Sequence, residues 1–354
     1  MTIDLQEFGA TTDRFAQAGT LPGQTLARVT AQHRELYQVI TARGSQSAQV
    51  AGRLSHNLRE ATDFPAVGDW VAVTATQTPA MIQRVLPRQS VLIRGAVGKA
   101  GGQVIAANVD TIFICMSLNA NFNARRIERY LTMAWDSGAV PVVVLTKADL
   151  CADVAAKLAE LAPVTVGVDV LTCSAQTGEG VAALKAYVTG NQTVSFIGSS
   201  GVGKSTLINH LLGTAQLATK AIRADDDKGR HATTARELLR LPDGGVVIDT
   251  PGMRELQVQG GNLDQAFADV TALASHCKFR NCTHQTEPGC AVQAALAAGQ
   301  LDAERLASYQ KLQRELAYSD MNARERENAK IERAFGSKRA MKQTMDHVKR
   351  VKRR

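Results

Sequence analysis

The chain has 354 residues, enough for two or three domains that each bury a core. At 45% hydrophobic and 21% charged, its composition excludes a largely disordered chain, and the lack of any apolar run of about 20 residues excludes a helical membrane span. The net charge of +8 is concentrated in residues 321–354, where twelve Lys/Arg face four Asp/Glu, so the rest of the chain is close to neutral. Such a tail is either an electrostatic handle for phosphate-rich partners such as nucleic acid or a solvated helix that keeps the protein soluble. The opening Met1-Thr-Ile-Asp-Leu-Gln-Glu lacks a basic region followed by an apolar core, so no signal peptide is expected and a cytoplasmic location is.

Residues 1–25, with Gly9, Gly19 and Pro22-Gly23, read as a flexible lead-in. Residues 26–96 alternate short β-type runs with turns: Leu36–Ile40, Gln49–Leu54, Asp69–Thr74 and Ala80–Leu86. Several short strands in about 70 residues suggest a small barrel, either an OB-fold that binds oligonucleotides or an SH3-like barrel. Val97–Gly102 reads as a hinge. Residues 103–260 then alternate strands and helices as an α/β domain. Thr111–Met116 and Val140–Leu145 are continuous apolar runs, as in parallel strands covered on both faces. Ile127, Tyr130, Leu131, Ala134 and Trp135 mark one face of the helix between them. Further strands are expected at Val170–Cys173, Thr193–Ile197 and Gly245–Asp249. From residue 261 the pattern turns helical through a Cys/His cluster to about residue 320, and residues 321–354 form the basic tail.

Gly198-Ser199-Ser200-Gly201-Val202-Gly203-Lys204-Ser205-Thr206 fits the P-loop pattern, in which backbone N–H groups and a lysine cradle phosphates and a hydroxyl holds Mg²⁺. It follows an apolar strand and opens an apolar helix through Leu207, Ile208, Leu211 and Leu212, which sets a helix N-terminus beneath the phosphates. Lys204 is assigned to the β/γ-phosphates and Ser205 to Mg²⁺. Asp249 ends a strand before Thr250-Pro251-Gly252, as an aspartate that holds Mg²⁺ does, and the Gly252 N–H is assigned to the γ-phosphate. Between them, Lys228-Gly-Arg-His231-Ala-Thr233-Thr234 reads as a switch loop. Either Thr233 or Thr234 would complete the Mg²⁺ shell.

Thr146-Lys147-Ala148-Asp149 looks like the guanine-reading motif of GTPases. The Asp149 carboxylate can accept from guanine N1–H and the N2 amine, an arrangement adenine does not offer. Lys147 would lie against the base, and the Ser174-Ala175 loop would donate to guanine O6. Thr146 stands where asparagine is usual. Its hydroxyl is shorter and makes fewer hydrogen bonds, so weaker guanine affinity is expected. In an ordinary GTPase the guanine reader comes last; here it precedes the P-loop, which points to a circular permutation.

Cys277-x4-Cys282-x-His284-x5-Cys290 offers three thiolates and one imidazole, a closed donor set for structural Zn²⁺. His276 is left as a bystander. Cys115, Cys151 and Cys173, scattered through apolar segments, read as buried inert thiols.

From about residue 25 to 320 the chain resembles the ribosome small subunit-dependent GTPase A family (RsgA, also called YjeQ). The resemblance rests on the motif order, Gly229-Arg-His-Ala-Thr-Thr, Asp249-Thr-Pro-Gly and the Cys277–Cys290 cluster containing Glu287-Pro-Gly-Cys-Ala-Val. It implies an OB-fold, a permuted P-loop GTPase domain and a zinc-binding helical domain. It also implies a late role in maturation of the small ribosomal subunit, with rRNA, GTP and GDP as partners and hydrolysis stimulated by the subunit. No membrane partner and a monomer are expected. Met253 follows Gly252 where many GTPases carry a water-orienting glutamine. The resemblance suggests His231 as its substitute; the alternative is that His231 only packs against the ribosome. The switch runs almost directly into the C-terminal domain, so γ-phosphate loss is expected to reposition that domain. Two rival functions are an rRNA-binding module with a vestigial nucleotide site, to which Thr146 and Met253 give footing, and a P-loop ATPase or kinase.

Overall fold

The computed structural model describes residues 2–19, 23–33, 36–74, 78–95, 102–214, 217, 236–249, 262–320 and 325. His231, Thr233, Thr234, Gly252, Met253, hinge residues 97–101 and nearly all of the basic tail lie outside the described residues.

The N-terminal segment is not a flexible lead-in. A 3-10 turn at Leu5–Phe8 and helix α1 (Thr12–Ala18) are capped by Asp4 and Thr11, whose side chains accept from the N–H groups of Gln6 and Arg14. Gly9, which suggested looseness, is the left-handed C-cap of the turn at φ +86°. Leu5, Ala10 and Ala18 pack with Leu26, Ile40 and Trp70 on the outside of the barrel.

The barrel is built from β1 (Thr25–His33), β2 (Leu36–Thr41), β3 (Gly44–Val50), β4 (Trp70–Thr74) and β5 (Ala80–Val85). Its strand order β1-β2-β3-β5-β4 closes through a β1–β4 pairing, and α2 (Gly52–Asn57) stands between β3 and β4. That closed five-stranded path is OB-like and decides against the SH3-like alternative. Val29, Val39, Val71, Val73 and Ile82 fill the interior. The β-type run at Gln49–Leu54 is corrected: the strand ends at Val50, and Gly52–Leu54 open α2. The strands either side of the hinge residues, β6 (Val91–Gly95) and β7 (Gly102–Ala107), pair with each other as an antiparallel ribbon.

The α/β layer follows: β8 (Thr111–Ser117), α3 (Ala124–Asp136), β9 (Val140–Thr146), α4 (Val154–Leu161), β10 (Asp169–Thr172), α5 (Val181–Lys185), β11 (Thr193–Ile197), α6 (Lys204–Leu212), β12 (Glu237–Arg240) and β13 (Val246–Asp249). The sheet order is β10-β9-β8-β11-β13-β12, parallel except for β12. Every residue of β8 is buried, as its unbroken apolar run predicts. β12 also meets β1 at Ala31 and Glu237, which joins the barrel to the sheet. Arg28 reinforces that junction. Fully buried, it donates to the carbonyls of Phe8, Gly68 and Asn108 and to Thr193 Oγ1, and it lies 4.9 Å from the Trp70 ring. Burial lowers its pKa to about 10.

The C-terminal region contains α7 (Leu263–Ala266), α8 (Ala268–Ala274), α9 (Ala291–Ala297) and α10 (Ala303–Asp320). Phe267, Val270, Val292, Leu306 and Tyr309 share one core with the α3 face of the sheet. Arg305 pins this contact: it donates to Glu128 on α3 at 2.8 Å and to both carboxylate oxygens of Asp269, and it stacks 4.2 Å from the Phe267 ring. Glu128 is fully buried and also receives Arg125 and Ser308. Truncating one partner of a buried pair costs about 3–5 kcal/mol. Because Arg125 still reaches Glu128, Arg305→Ala is expected to destabilise the chain by about 3 kcal/mol. It should also open residues 262–320 to proteolysis. An unchanged denaturation midpoint and digestion pattern would remove Arg305 from this role.

Candidate nucleotide and metal sites

The motif residues within the described chain gather at the carboxyl ends of the parallel strands, where ligands of open α/β sheets bind. Gly198–Gly203 follows β11, Thr146 ends β9, Ser174 follows β10 and Asp249 ends β13. β11 lies between β8 and β13, which sets Asp249 beside the P-loop. Asp249 and Ser205, the second residue of α6, are both half-buried.

The loop is shaped by glycine. Gly198 has φ +143°, and a Cβ there would lie 2.4 Å from the Cys115 carbonyl oxygen, so β8 leaves room only for hydrogen. Gly203, at φ +101°, is the N-cap of α6 and accepts from Leu207 N–H without a competing side chain. The Lys204 ammonium bridges the carbonyls of Gly198 and Ser199 at 2.6 and 2.8 Å, which holds it over the loop.

The Thr146–Asp149 segment is tied to that loop. Thr146, buried, donates its hydroxyl to the Val202 carbonyl. Lys147, at φ +59°, donates to the Gly201 carbonyl at 2.7 Å. Threonine in place of asparagine therefore still links the two motifs. Asp149 is exposed within a 3-10 turn, where its carboxylate faces solvent rather than a protein partner among the described residues. The Ser174 hydroxyl accepts from Gln176 and Thr177 N–H, and His210 Nε2 contacts the Ala175 carbonyl at 2.6 Å. The loop after β10 is thereby fixed to α6, the helix that follows the P-loop.

Cys277, Cys282, His284 and Cys290 converge, with their donor atoms all within 4.8 Å of one another. The Cys277 and Cys290 sulfurs are 3.8 Å apart, and His284 Nδ1 lies 3.7 and 3.5 Å from them. A tetrahedral ion with Zn–S of about 2.3 Å requires an S···S edge of about 3.8 Å, so the cluster fits zinc. The cysteines are free thiols, which accords with metal rather than disulfide chemistry. His284 takes φ +57°, and its carbonyl receives the amides of Gln293 and Gln310. Glu287 accepts from Thr283, Gln285 and Thr286, bonds that hold its carboxyl down at about 2 and tighten the ligand loop. His276 stands outside the cluster. Of the other thiols, Cys115 and Cys173 are buried, with burial pushing their pKa up to about 12 and about 11. Cys151 is only half-buried, contrary to the sequence reading.

Residues 85–259 match the family described as RsgA GTPase. The chain is 58% identical to Small ribosomal subunit biogenesis GTPase RsgA 2 of Lactiplantibacillus plantarum, over 99% of this chain and 100% of that one. The chain belongs to the RsgA GTPase family. A second relative, Small ribosomal subunit biogenesis GTPase RsgA of Opitutus terrae, is 48% identical over 86% of each chain. The crystal structure of YjeQ from Thermotoga maritima superposes with a TM-score of 0.62 at 27% identity, covering 83% of this chain and 99% of that one. YloQ, titled a circularly permuted GTPase, superposes at 0.60 and 22% identity over 86% and 99%, which concerns the fold alone.

Like its RsgA relatives the chain is a GTPase, and its sheet explains how the permuted order still builds one site. Strands β9 and β10, which lead into the Thr146–Asp149 and Ser174-Ala175 segments, precede the P-loop strand in sequence yet stand beyond β8 on one side of it, while β13 stands on the other. One neighbour of the site escaped sequence reasoning. Arg126, in the first turn of α3, donates to the P-loop hydroxyl of Ser199 at 3.1 Å. An arginine in a charged helix carries no local signal of that contact, because β8 and β11 become neighbours only in the folded sheet.

Proposed function

We propose that this GTPase acts as a late maturation factor of the small ribosomal subunit, binds its rRNA, and is released or repositioned when GTP is hydrolysed. The observation that carries the proposal is the full-length match to relatives named small ribosomal subunit biogenesis GTPases, together with phosphate and base motifs joined through Thr146 and Lys147. Gly198 to Thr206 cradle the phosphates, with Lys204 on the β/γ-phosphates. Lys147, Asp149, Ser174 and Ala175 hold guanine, and Gly252 serves the γ-phosphate. Mg²⁺, held by Ser205, Asp249 and Thr233 or Thr234, would neutralise charge shared by the β- and γ-phosphates. Zn²⁺ at the Cys277 cluster would be structural, since all four positions are protein donors. No helix among the described residues is long and apolar enough to cross a membrane. A cytoplasmic monomer is the state in which the protein would meet the subunit.

Base recognition has a direct test. Asp149→Asn removes a carboxylate that accepts two hydrogen bonds, each worth about 1.5–3 kcal/mol when charged. GTP affinity should fall by roughly 10²–10⁴-fold, while xanthosine triphosphate, whose 2-oxo group accepts from an amide, should bind more tightly than GTP. Unaltered GTP affinity would displace Asp149 from the base site.

His231, positioning or deprotonating the attacking water, is the residue proposed for hydrolysis. His231→Ala should lower subunit-stimulated turnover by about 10²–10⁴-fold and leave GTP affinity unchanged. Full stimulated turnover in the variant would exclude it. For the function as a whole, the protein should co-sediment with purified small subunits in a non-hydrolysable GTP analogue and dissociate in GDP. Equal absence from subunits in both nucleotides would refute the proposal.

A further inference from the structure

Three arginines stand in the first two turns of α3, and they divide between two tasks. Arg125 pairs with Glu128, Asp302 and Glu304, and Arg129 pairs with Glu315, so both reach acidic residues of the C-terminal region. Arg126 turns to the P-loop instead. Half-buried, its Nη1 donates to Ser199 Oγ at 3.1 Å and approaches the Asn121 carbonyl at 3.5 Å. Among the described residues no carboxylate comes within ion-pair distance of it, and its Nε and Nη2 make no hydrogen bond.

Helix stability does not account for a cation at this position. The first turn of α3 holds two arginines and no acidic residue, at the end of the helix that is already positive. Asn123 caps that end by accepting from the Arg126 N–H, a backbone bond that any residue but proline could make. The guanidinium is thus left uncompensated within the described protein, facing the loop assigned to the triphosphate.

Ser199 shows which part of the triphosphate it faces. The carbonyls of Gly198 and Ser199 hold the Lys204 ammonium, the group assigned to the β/γ-phosphates, while the Ser199 hydroxyl holds Arg126. Two cations therefore meet at one loop residue, Lys204 from α6 and Arg126 from α3. The sheet imposes this meeting. Ile114 of β8 lies in register with Ile197, the residue before the loop, and residues 118–123 carry the chain from β8 into α3.

We infer that Arg126 is a catalytic residue of GTP hydrolysis, supplied by the chain itself. With GTP bound, the Nε–Nη2 edge of its guanidinium donates to γ-phosphate oxygens, a two-point match that a planar fork makes well. In hydrolysis the water oxygen bonds to the γ-phosphorus and the bond to the β–γ bridging oxygen breaks. That electron pair stays with GDP, and the water proton ends on the released phosphate. Arg126 keeps its own protons and stabilises the charge shared among the γ-oxygens. Because Arg125 and Arg129 anchor the helix on the opposite side, the guanidinium is held in place before the nucleotide arrives. The inference rests on the phosphate assignment of Gly198–Thr206.

The test uses the full chain with Mg²⁺ and no ribosomal subunits, comparing wild type with Arg126→Gln and Arg126→Lys. Single-turnover phosphate release at saturating GTP is measured beside equilibrium affinities for GDP and for a non-hydrolysable GTP analogue. Arg126→Gln keeps a donor for Ser199 but no charge. It should slow release about 10²-fold and weaken the analogue about tenfold, while GDP affinity stays within about twofold. Arg126→Lys, a point charge without the fork, should release phosphate about tenfold faster than the glutamine variant. Wild-type release by Arg126→Gln would overturn the inference and leave Arg126 a staple between α3 and the loop. Equal losses of GDP and analogue affinity would overturn it as well, placing the guanidinium on phosphates that both nucleotides share. Failure of the wild-type protein to bind GDP would instead remove the phosphate assignment, and the inference with it.

Discussion

Replacing Lys204 with alanine is expected to lower GTP hydrolysis at saturating nucleotide by about 10²–10³-fold, the usual cost of removing one preorganised charge from a developing anion. The ammonium already sits against the Gly198 and Ser199 carbonyls, so little reorganisation is needed for it to meet phosphate. GTP affinity should fall as well, because the lysine contacts both ground state and transition state. The cost to folding should be at most about 1–3 kcal/mol, because Lys204 is half-buried and its two partners are carbonyls of its own loop, Gly198 buried and Ser199 half-buried. Equilibrium titration with a fluorescent GTP analogue and single-turnover hydrolysis separate binding from chemistry. Wild-type values in both would mean that the loop does not hold phosphate.

The second large effect concerns the metal cluster. Structural zinc in small domains supplies apparent binding free energies of about 10–16 kcal/mol, so losing one of four ligands removes most of the metal at ordinary concentrations. Cys290 is the natural position to test, since its sulfur also caps α9 by accepting from Gln293 N–H. Native-purified protein should contain one zinc per chain, Cys290→Ser close to none, and the variant should be cut by protease within residues 262–320. GTP affinity should change by less than about twofold, because no cluster ligand belongs to the strand ends that hold the nucleotide motifs. Stimulation by subunits should be lost. Native protein devoid of zinc, or a variant with full zinc and native protease resistance, would contradict the assignment.

The P-loop, the Thr146–Asp149 segment and Asp249 were legible because each is a short contiguous stretch whose backbone demands specific residue types. Gly198 and Gly203 are instances: a side chain would strike Cys115 at the first, and φ is positive at both. The Cys277–Cys290 set was legible for a similar reason, all four donors falling in one loop region. What sequence could not supply was non-local. The barrel type depends on β1 meeting β4, and four short β-type runs do not reveal that closure. Arg305 and Glu128 are 177 positions apart, yet their pairing attaches the C-terminal helices to α3. Short β12, with charged ends and one buried leucine, Leu238, gives almost no periodic signal, although it joins the sheet to the barrel. The lead-in misled for a different reason. Glycine was read as looseness at Gly9, where it completes a capped turn beneath which Leu5 is buried.

The most direct test of the central claim is phosphate release from GTP and from ATP, each with and without purified small ribosomal subunits. A slow basal rate selective for GTP, rising strongly when subunits are added, is the predicted result. A rate indifferent to subunits, or equal for ATP and GTP, would contradict it.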